Sequence, residues 1–135
     1  MLTVEDTAKH FSLTPETIRS RIKTGELRAQ RVNRGYRLEW QEVWTCERGP
    51  MPKGRRIARY RMPLVTKFDV AEELRVSVKS VERMIDDGLP TRNVWGSVRM
   101  NPADVKDWLA VNLGVELKDD WHVRQALIRT GAISV

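Results

Sequence analysis

The sequence has few of the residues on which catalytic and metal sites depend. Its 135 residues include one cysteine, Cys46, and two histidines, His10 and His122. One cysteine excludes an internal disulfide and is compatible with a reducing cytosol. Neither histidine has neighbours at metal-ligand spacing, and the chain has neither a glycine-rich phosphate loop nor a recognisable nucleophile motif. We therefore expect no metal, no cofactor and no enzymatic activity.

Long apolar runs are also missing. No stretch approaches the roughly 20 apolar residues that cross a bilayer. The first residues, MLTVEDTAKHF, lack the basic start and apolar core of a secretory signal. We expect a cytoplasmic protein that makes no membrane contact.

The main positive feature is an internal repeat, in which residues 2–47 align with residues 65–109. Each copy has the pattern helix, turn, helix, two short strands, helix. Because each copy is so short, its core is small. Some residues recur 63 positions later (Thr3, Asp6, Ala8, Ile22, Gly25) and others 62 positions later (Leu27, Val32, Arg37, Val43).

The repeat predicts two small domains, at 1–49 and 65–114, with a linker at 50–64 and a helical tail at 115–135. The formal net charge of +6 is concentrated in the linker, which holds five basic residues and no acid. Three prolines and two glycines near this segment favour an extended chain. Such a chain spans at most roughly 50 Å, more than the ~34 Å between major-groove faces on one side of a duplex. Its arginines, including Arg55 and Arg56, suit a DNA backbone, although a merely solubilising linker is the alternative.

Helix-capping residues set the predicted boundaries. Thr3 with Asp6, and Thr66 with Asp69, form capping-box patterns. Thr14, Ser77 and Asn101 are further N-caps. Strands are predicted at Leu27–Val32 and Tyr36–Glu39, and a third helix at Trp40–Cys46, with Val43 and Trp44 packed inward.

The second helix of the first copy carries the predicted chemistry. With Ile18 and Ile22 buried, its outward face offers hydroxyl and charged groups that can bond bases or phosphates. An ordinary solvated helix is the alternative interpretation. The outward residues are Glu16, Thr17, Arg19, Ser20, Arg21 and Lys23, and the hairpin adds Arg31, Arg34 and Arg37, with Arg34 at the tip.

The second copy is more acidic, and two interpretations stay open for it. Its second helix presents Lys79, Ser80 and Arg83, beside Glu82, Asp86 and Asp87. The first three residues suit DNA, whereas the acids suit protein contact or self-association. Trp95, at the tip of the second hairpin, has three possible roles: a wedge in a minor groove, a partner contact, or packing on its own domain.

The tail is predicted to form a helix from about Asp119 or Asp120 to Arg129, ended by Gly131. Its apolar residues are Trp121, Ala126, Leu127 and Ile128. Packing on the second copy, a dimer contact and a partner-protein contact are the alternatives for them.

The stretch LTVEDTAKHFSLTPETIRSRIKTGELRAQRVNRGYRLEWQEVW resembles the excisionase and MerR-type winged-helix DNA-binding domains. The second copy, TKFDVAEELRVSVKSVERMIDDGLP, resembles the same domains and also the DNA-binding domain of phage terminase small subunits. The resemblance implies a mainly α protein with small β-hairpin wings, built from two tandem winged helix-turn-helix domains that bind double-stranded DNA.

The resemblance also implies which residues contact DNA and which partners to expect. An excisionase-like recombination directionality factor or a transcriptional regulator is the expected function. A terminase-like DNA-packaging recognition protein and a protein-binding adaptor are the alternatives. An integrase or other protein, bound through the second copy or the tail, is a possible second partner, and a homo-oligomer is possible. The resemblance also implies a nucleoid-associated protein that is bacterial or phage-encoded. The implied contacts are Thr14, Glu16, Thr17, Arg19, Ser20 and Arg21 in copy one, Lys79, Ser80 and Arg83 in copy two, and Arg34 and Arg37 in the wing.

Overall fold

The structure is a computed structural model that describes residues 1–133, so the last two residues of the predicted tail, 134–135, lie outside the described residues. About half of the chain is helical, and its strands form two small antiparallel sheets. No described helix has the length and apolar character needed to cross a membrane. The elements are α1 (Val4–Phe11), α2 (Pro15–Lys23), β1 (Gln30–Val32), β2 (Gly35–Arg37), α3 (Trp40–Thr45), β3 (Glu47–Arg48), α4 (Lys67–Leu74), α5 (Val78–Asp86), β4 (Asn93–Val94), α6 (Pro102–Leu113) and α7 (Trp121–Arg129).

The predicted caps are confirmed. The hydroxyl of Thr3 accepts a hydrogen bond from the Asp6 amide at 3.0 Å, and the Asp6 carboxylate accepts one from the Thr3 amide at 3.1 Å. Thr66 and Asp69 form the same pair at the start of α4. These reciprocal bonds satisfy amides that the first turn of a helix leaves unpaired. The remaining predicted caps begin their helices too, namely Thr14, Ser77 and Asn101.

The two copies repeat in local detail. An isolated antiparallel bridge joins Leu2 to Leu38 in the first copy, and its equivalent joins Val65 to Met100 in the second. Ser12 and Arg75, which occupy equivalent positions, both have φ near +54°. The strands of the first hairpin are shorter than predicted, and α3 ends at Thr45, one residue early.

Two apolar cores are present, and the first core takes residues from outside its own copy. Phe11, Ile18 and Val43 lie at its centre, fully buried. Val94 of the second copy and Leu64 of the intervening segment are buried in the same cluster. The first copy therefore completes its core with side chains that follow it in the chain.

Backbone pairing reinforces this contact between the copies, which we call the seam. Strand β3, which directly follows the first copy's last helix, pairs antiparallel with β4 of the second copy. The amide of Leu64 donates to the carbonyl of His10 at 2.8 Å. The guanidinium of Arg99 donates to the carbonyls of Phe11 (2.7 Å) and Ser12 (2.9 Å), where α1 ends. Burial lowers the pKa of Arg99.

A buried ionic cluster lies inside the seam. The side chain of Glu47 is fully buried, and its two oxygens accept hydrogen bonds from His10 Nε2 at 2.8 Å and Arg92 Nε at 2.5 Å. Arg92 is itself buried, donates to the carbonyl of Pro50 at 2.8 Å and lies over the ring of Tyr60. A buried charge is tolerated only when it is paired and hydrogen-bonded. Glu47 thus holds the two copies together.

The expectation of an extended linker is wrong. Residues 50–64 include two short 3-10 helices, Gly54–Arg56 and Arg59–Arg61. Tyr60 is buried, and its carbonyl accepts a hydrogen bond from Trp44 Nε1 at 3.0 Å. Prolines and glycines prevent a regular α-helix here, but they do not prevent tight turns.

Arg59 anchors the same segment to the second copy. Its guanidinium donates to Asp104 at 2.6 Å and to Asp107 at 2.8 Å. Burial by itself would lower the pKa of Arg59, but these hydrogen bonds raise it above the ordinary value. The segment that was expected to span two grooves is therefore bound to both copies.

The tail helix packs within the chain. The observed α7 lies within the predicted range, and Trp121 is buried, as expected. Leu127, however, is 41% exposed, so among its alternatives the structure does not favour packing on the second copy. Polar contacts also hold α7 against α4: Gln125 donates a hydrogen bond to Glu73 at 3.0 Å, and Arg129 donates one to Asp69 at 3.1 Å.

Glu47→Gln tests whether the seam stabilises the whole protein. The substitution leaves Arg92 buried beside a neutral group, and loss of one partner of a buried pair costs about 3–5 kcal/mol. We expect the free energy of unfolding in urea to fall by this amount, in one transition that both cores share. Glu39→Gln, at an exposed position without a capping bond, is the control. A loss below about 1 kcal/mol, the range of an exposed ion pair, would contradict the buried cluster.

Candidate nucleic-acid interface

Helix α2, the predicted reading helix of the first copy, is fixed from below by its apolar residues. Ile18 is fully buried and Ile22 packs against the same core. At its start, Thr14 accepts a hydrogen bond from the amide of Thr17 at 3.2 Å, and the two hydroxyls lie 2.9 Å apart. Because α2 is capped and anchored, the points from which its outer side chains project are fixed.

Several of the predicted contact residues share one shallow depression on α2. It brings together hydroxyls and one guanidinium, which can hydrogen-bond base edges and phosphates, with carboxylates, which can accept from the amino group of cytosine. Thr24 and Glu26 belong to it although the sequence did not mark them. We call this surface the α2 depression; it is lined by Thr14, Glu16, Thr17, Ser20, Arg21, Thr24 and Glu26.

Arg21 is the cation of the α2 depression, and it is held from two sides. Its Nη1 donates to Glu26 at 2.6 Å, and its Cζ lies 5.1 Å from the centre of the Trp95 ring. About a third of the Arg21 side chain remains exposed. The guanidinium is therefore ordered but accessible.

Arg19 and Lys23 lie outside the α2 depression. Arg19 is directed toward α1, where it pairs with Glu5 at 3.0 Å, and its side chain is 48% exposed. Such an exposed pair contributes little and is easily exchanged for a phosphate. Lys23 is exposed at the last turn of α2.

The first hairpin leaves its tip open. Asn33 has a φ of +56°, and Arg34 beside it is exposed. Arg31 lies over the ring of Tyr36. Arg37 is half-buried and donates to the carbonyl of Tyr36 at 2.8 Å. Arg37 lines a different depression from the one on α2, so Arg34 is the hairpin residue best placed for a ligand.

The second hairpin is packed against the first copy in the seam. Trp95 packs on the core of the first copy, where its ring lies edge-on to Phe11 with centroids 5.4 Å apart. None of the three roles considered for Trp95 included this one. The sequence signal was slight: a bulky residue at the position where the first copy has Asn33, a common residue at positive φ.

The predicted contacts on α5 are present on the surface. Lys79 and Arg83 are exposed, whereas Ser80 is half-buried and its hydroxyl lies 3.0 Å from that of Ser77. Glu82, on the same helix, pairs with Lys67 at 3.0 Å. The surface of α5 is therefore mixed in charge.

Arg55 and Arg56 are exposed on the first 3-10 helix. Arg56 lines a depression with Asp104, Asp107 and Trp108 of α6. Arg56 therefore lies beside the second copy, and both arginines lie on a folded segment rather than on an extended linker.

Comparisons with known proteins give no relative: no family model, no curated protein and no solved structure matches this chain.

Cys46 lies at the edge of the seam, in a depression that it shares with Glu26 and Trp95. Burial raises the pKa of its thiol to about 11, and the nearby carboxylates of Glu47 and Glu42 add to the shift. The thiolate, which is the reactive form, is therefore scarce near neutral pH.

We expect iodoacetamide to alkylate Cys46 slowly in the folded protein at pH 8. Because the ordinary pKa of a thiol is 9.0 and that of Cys46 is about 11, the thiolate fraction falls roughly a hundredfold. The rate should keep rising with pH up to about 11. Mass spectrometry of timed samples measures it, with the urea-unfolded chain as the control. Equal rates for the two forms would show that the seam is open around this residue.

Proposed function

We propose that the protein binds double-stranded DNA through two winged helix-turn-helix copies, and that the first copy supplies the specific contacts. One observation carries this proposal: the α2 depression places the hydroxyls of Thr17 and Ser20 beside the ordered guanidinium of Arg21 on a single exposed helix face. Arginine pairs bidentately with guanine in the major groove, and hydroxyls bond bases or phosphates.

Flanking cations support the same function. Arg34 at the first hairpin tip, Lys23 at the end of α2, and Arg55 and Arg56 on the 3-10 helix are exposed. Exposed basic groups attract the phosphate backbone and release its counterions. In this proposal they supply affinity, and the α2 depression supplies sequence preference.

The packed segment changes the mechanism that the sequence suggested. Because the seam fixes the two copies, α2 and α5 cannot adjust their separation through a flexible linker. The protein would approach DNA as one rigid body, and the fixed separation of α2 and α5 would decide which part of the DNA α5 contacts. Lys79, Ser80 and Arg83 then contribute backbone contacts.

The biological setting that we propose is that of a phage or mobile-element protein. An excisionase-like directionality factor or a transcriptional regulator uses DNA binding in this way. A terminase-like packaging protein would use the same surface to recognise a phage DNA site. The three roles share the proposed interface.

Selection from a randomised duplex library at near-physiological salt tests DNA binding directly. Sequencing of the retained duplexes should give one motif of a few base pairs for the first copy, with or without a second motif at fixed spacing. The logarithm of affinity should fall with the logarithm of salt, by about 0.9 per phosphate neutralised. Retention without a motif would reduce the proposal to non-specific attraction.

Charge reversal locates the interface. We expect Arg21→Glu with Arg34→Glu to lower affinity for the selected duplex by at least roughly a hundredfold, because two contacts are lost and two repulsions are added. Lys118→Glu changes an exposed lysine between α6 and α7, and it serves as the charge control. Titration by fluorescence anisotropy measures both variants. Equal losses in the two proteins would place the DNA elsewhere.

Protein binding by the second copy is the second candidate function. The observation that favours it is the surface of α5, where Asp86 and Asp87 are exposed near Arg83 while the neighbouring hairpin is already bound in the seam. Because the hairpin of the second copy is not available to contact DNA, this copy suits a protein-binding adaptor. An integrase, another protein or a second copy of the chain is the partner class.

Lys79→Glu with Arg83→Glu separates the two roles of α5. If α5 contacts the DNA backbone, affinity should fall by roughly one to two orders of magnitude and the salt slope should shrink by about two contacts. If α5 serves a protein, affinity and slope should stay at wild-type values. The same titration over a salt series decides between these outcomes.

A further inference from the structure

We infer that Trp95 is a positioning residue for DNA recognition, through which the second copy orders the arginine that the first copy presents to DNA. This inference rests on the proposed function and adds to it a specificity element outside the reading helix. The juxtaposition that carries it is the Trp95 ring beneath Arg21, 74 positions apart in the chain.

Trp95 occupies a backbone position that a large side chain seldom takes. Its φ is +48°, in the left-handed region, where a bulky residue is an outlier. The equivalent position in the first copy is Asn33, with φ +56°. Outliers of this kind persist where surrounding structure holds them, and they concentrate at functional sites.

The surrounding structure holds Trp95 firmly. The amides of Val94 and Ser97 each donate to the other's carbonyl, at 3.0 and 2.9 Å, and close the turn. Val94 is fully buried in the first core, and β4 pairs with β3. Phe11 contacts the ring edge-on. The ring is therefore a fixed surface at the end of α2.

Arg21 gains order from that surface. An arginine on a helix normally samples many rotamers and loses this freedom when it binds. Here Glu26 holds one side of the guanidinium and the face of Trp95 attracts the other. A guanidinium already fixed in its binding orientation loses less freedom on contact with a base or a phosphate, so both affinity and discrimination increase.

A purely structural role for Trp95 makes different predictions, and a double-mutant cycle separates the two roles. Trp95→Phe keeps an aromatic face, whereas Trp95→Leu keeps apolar bulk without one. With the duplex selected above, we expect Trp95→Phe to stay within about twofold of wild type and Trp95→Leu to weaken binding about three- to tenfold. In an Arg21→Ala background, Trp95→Leu should weaken binding no further, because its effect acts through Arg21.

Discrimination between bases is the readout that a structural role would not move. Arg21→Ala first identifies the base pair that Arg21 distinguishes. A second duplex is then altered at that base pair, and Trp95→Leu should narrow the difference in affinity between this duplex and the selected one. If the loss of affinity in the double variant equals the product of the two single-variant losses, the two residues act independently. That result would overturn the inference and leave the proposed function standing. An Arg21→Ala protein with wild-type affinity would also overturn the inference, and in addition it would remove the specific contacts from the α2 depression. Failure of the wild-type protein to retain any duplex would remove the proposed function, and the inference with it.

A measurement on the unmodified protein covers the case in which Trp95→Leu does not fold. Nitrogen-15 relaxation of the arginine Nε–Hε groups reports picosecond-to-nanosecond order. We expect Arg21 to be clearly more ordered than Arg34, which lies at the open hairpin tip. Equal mobility of the two side chains would overturn the inference.

Discussion

The buried carboxylate of Glu47 is the constraint on which the rest of the structure depends. A carboxylate removed from water requires partners, and it has His10 from α1 and Arg92 from the second copy. To reach them, the chain leaves α3 at Thr45 and continues as β3. That strand pairs with β4, and the pairing places the second hairpin on the first copy. The ionic contact and this strand pairing together place Trp95 on the first copy.

The two copies share their local structure but differ in how they pack. The position equivalent to Glu47 is Leu109, which is buried inside the longer α6, and the position equivalent to Arg92 is the exposed Gln30. Only the first copy therefore receives a neighbour's hairpin. This asymmetry agrees with the division of roles proposed above, in which the first copy presents the proposed binding surface and the second stabilises it.

Local features could be predicted from the sequence because they depend on neighbours in the chain. Thr3 with Asp6 and Asn101 with Pro102 define helix starts within four residues. The seam could not be predicted in this way. Glu47 and Arg92 are 45 residues apart in the chain, and in the sequence each resembles an ordinary surface charge. The α2 depression could be predicted from the sequence only in part. Helical periodicity marked Thr17, Ser20 and Arg21, whereas Glu26 joins the depression only through the fold. The contact of Trp95 with Arg21 also depends on the fold.

Native-state hydrogen exchange of the Leu64 amide tests the central claim, that the seam makes one cooperative body of the two copies. This amide donates to His10 across the seam, whereas the amides of Val43 and Val105 report the two cores. Exchange through global unfolding gives the three amides the same opening free energy. Our account predicts that agreement to within about 1 kcal/mol, and a common response to added urea. A Leu64 amide that exchanges at a much lower free energy, while both cores stay protected, would contradict it.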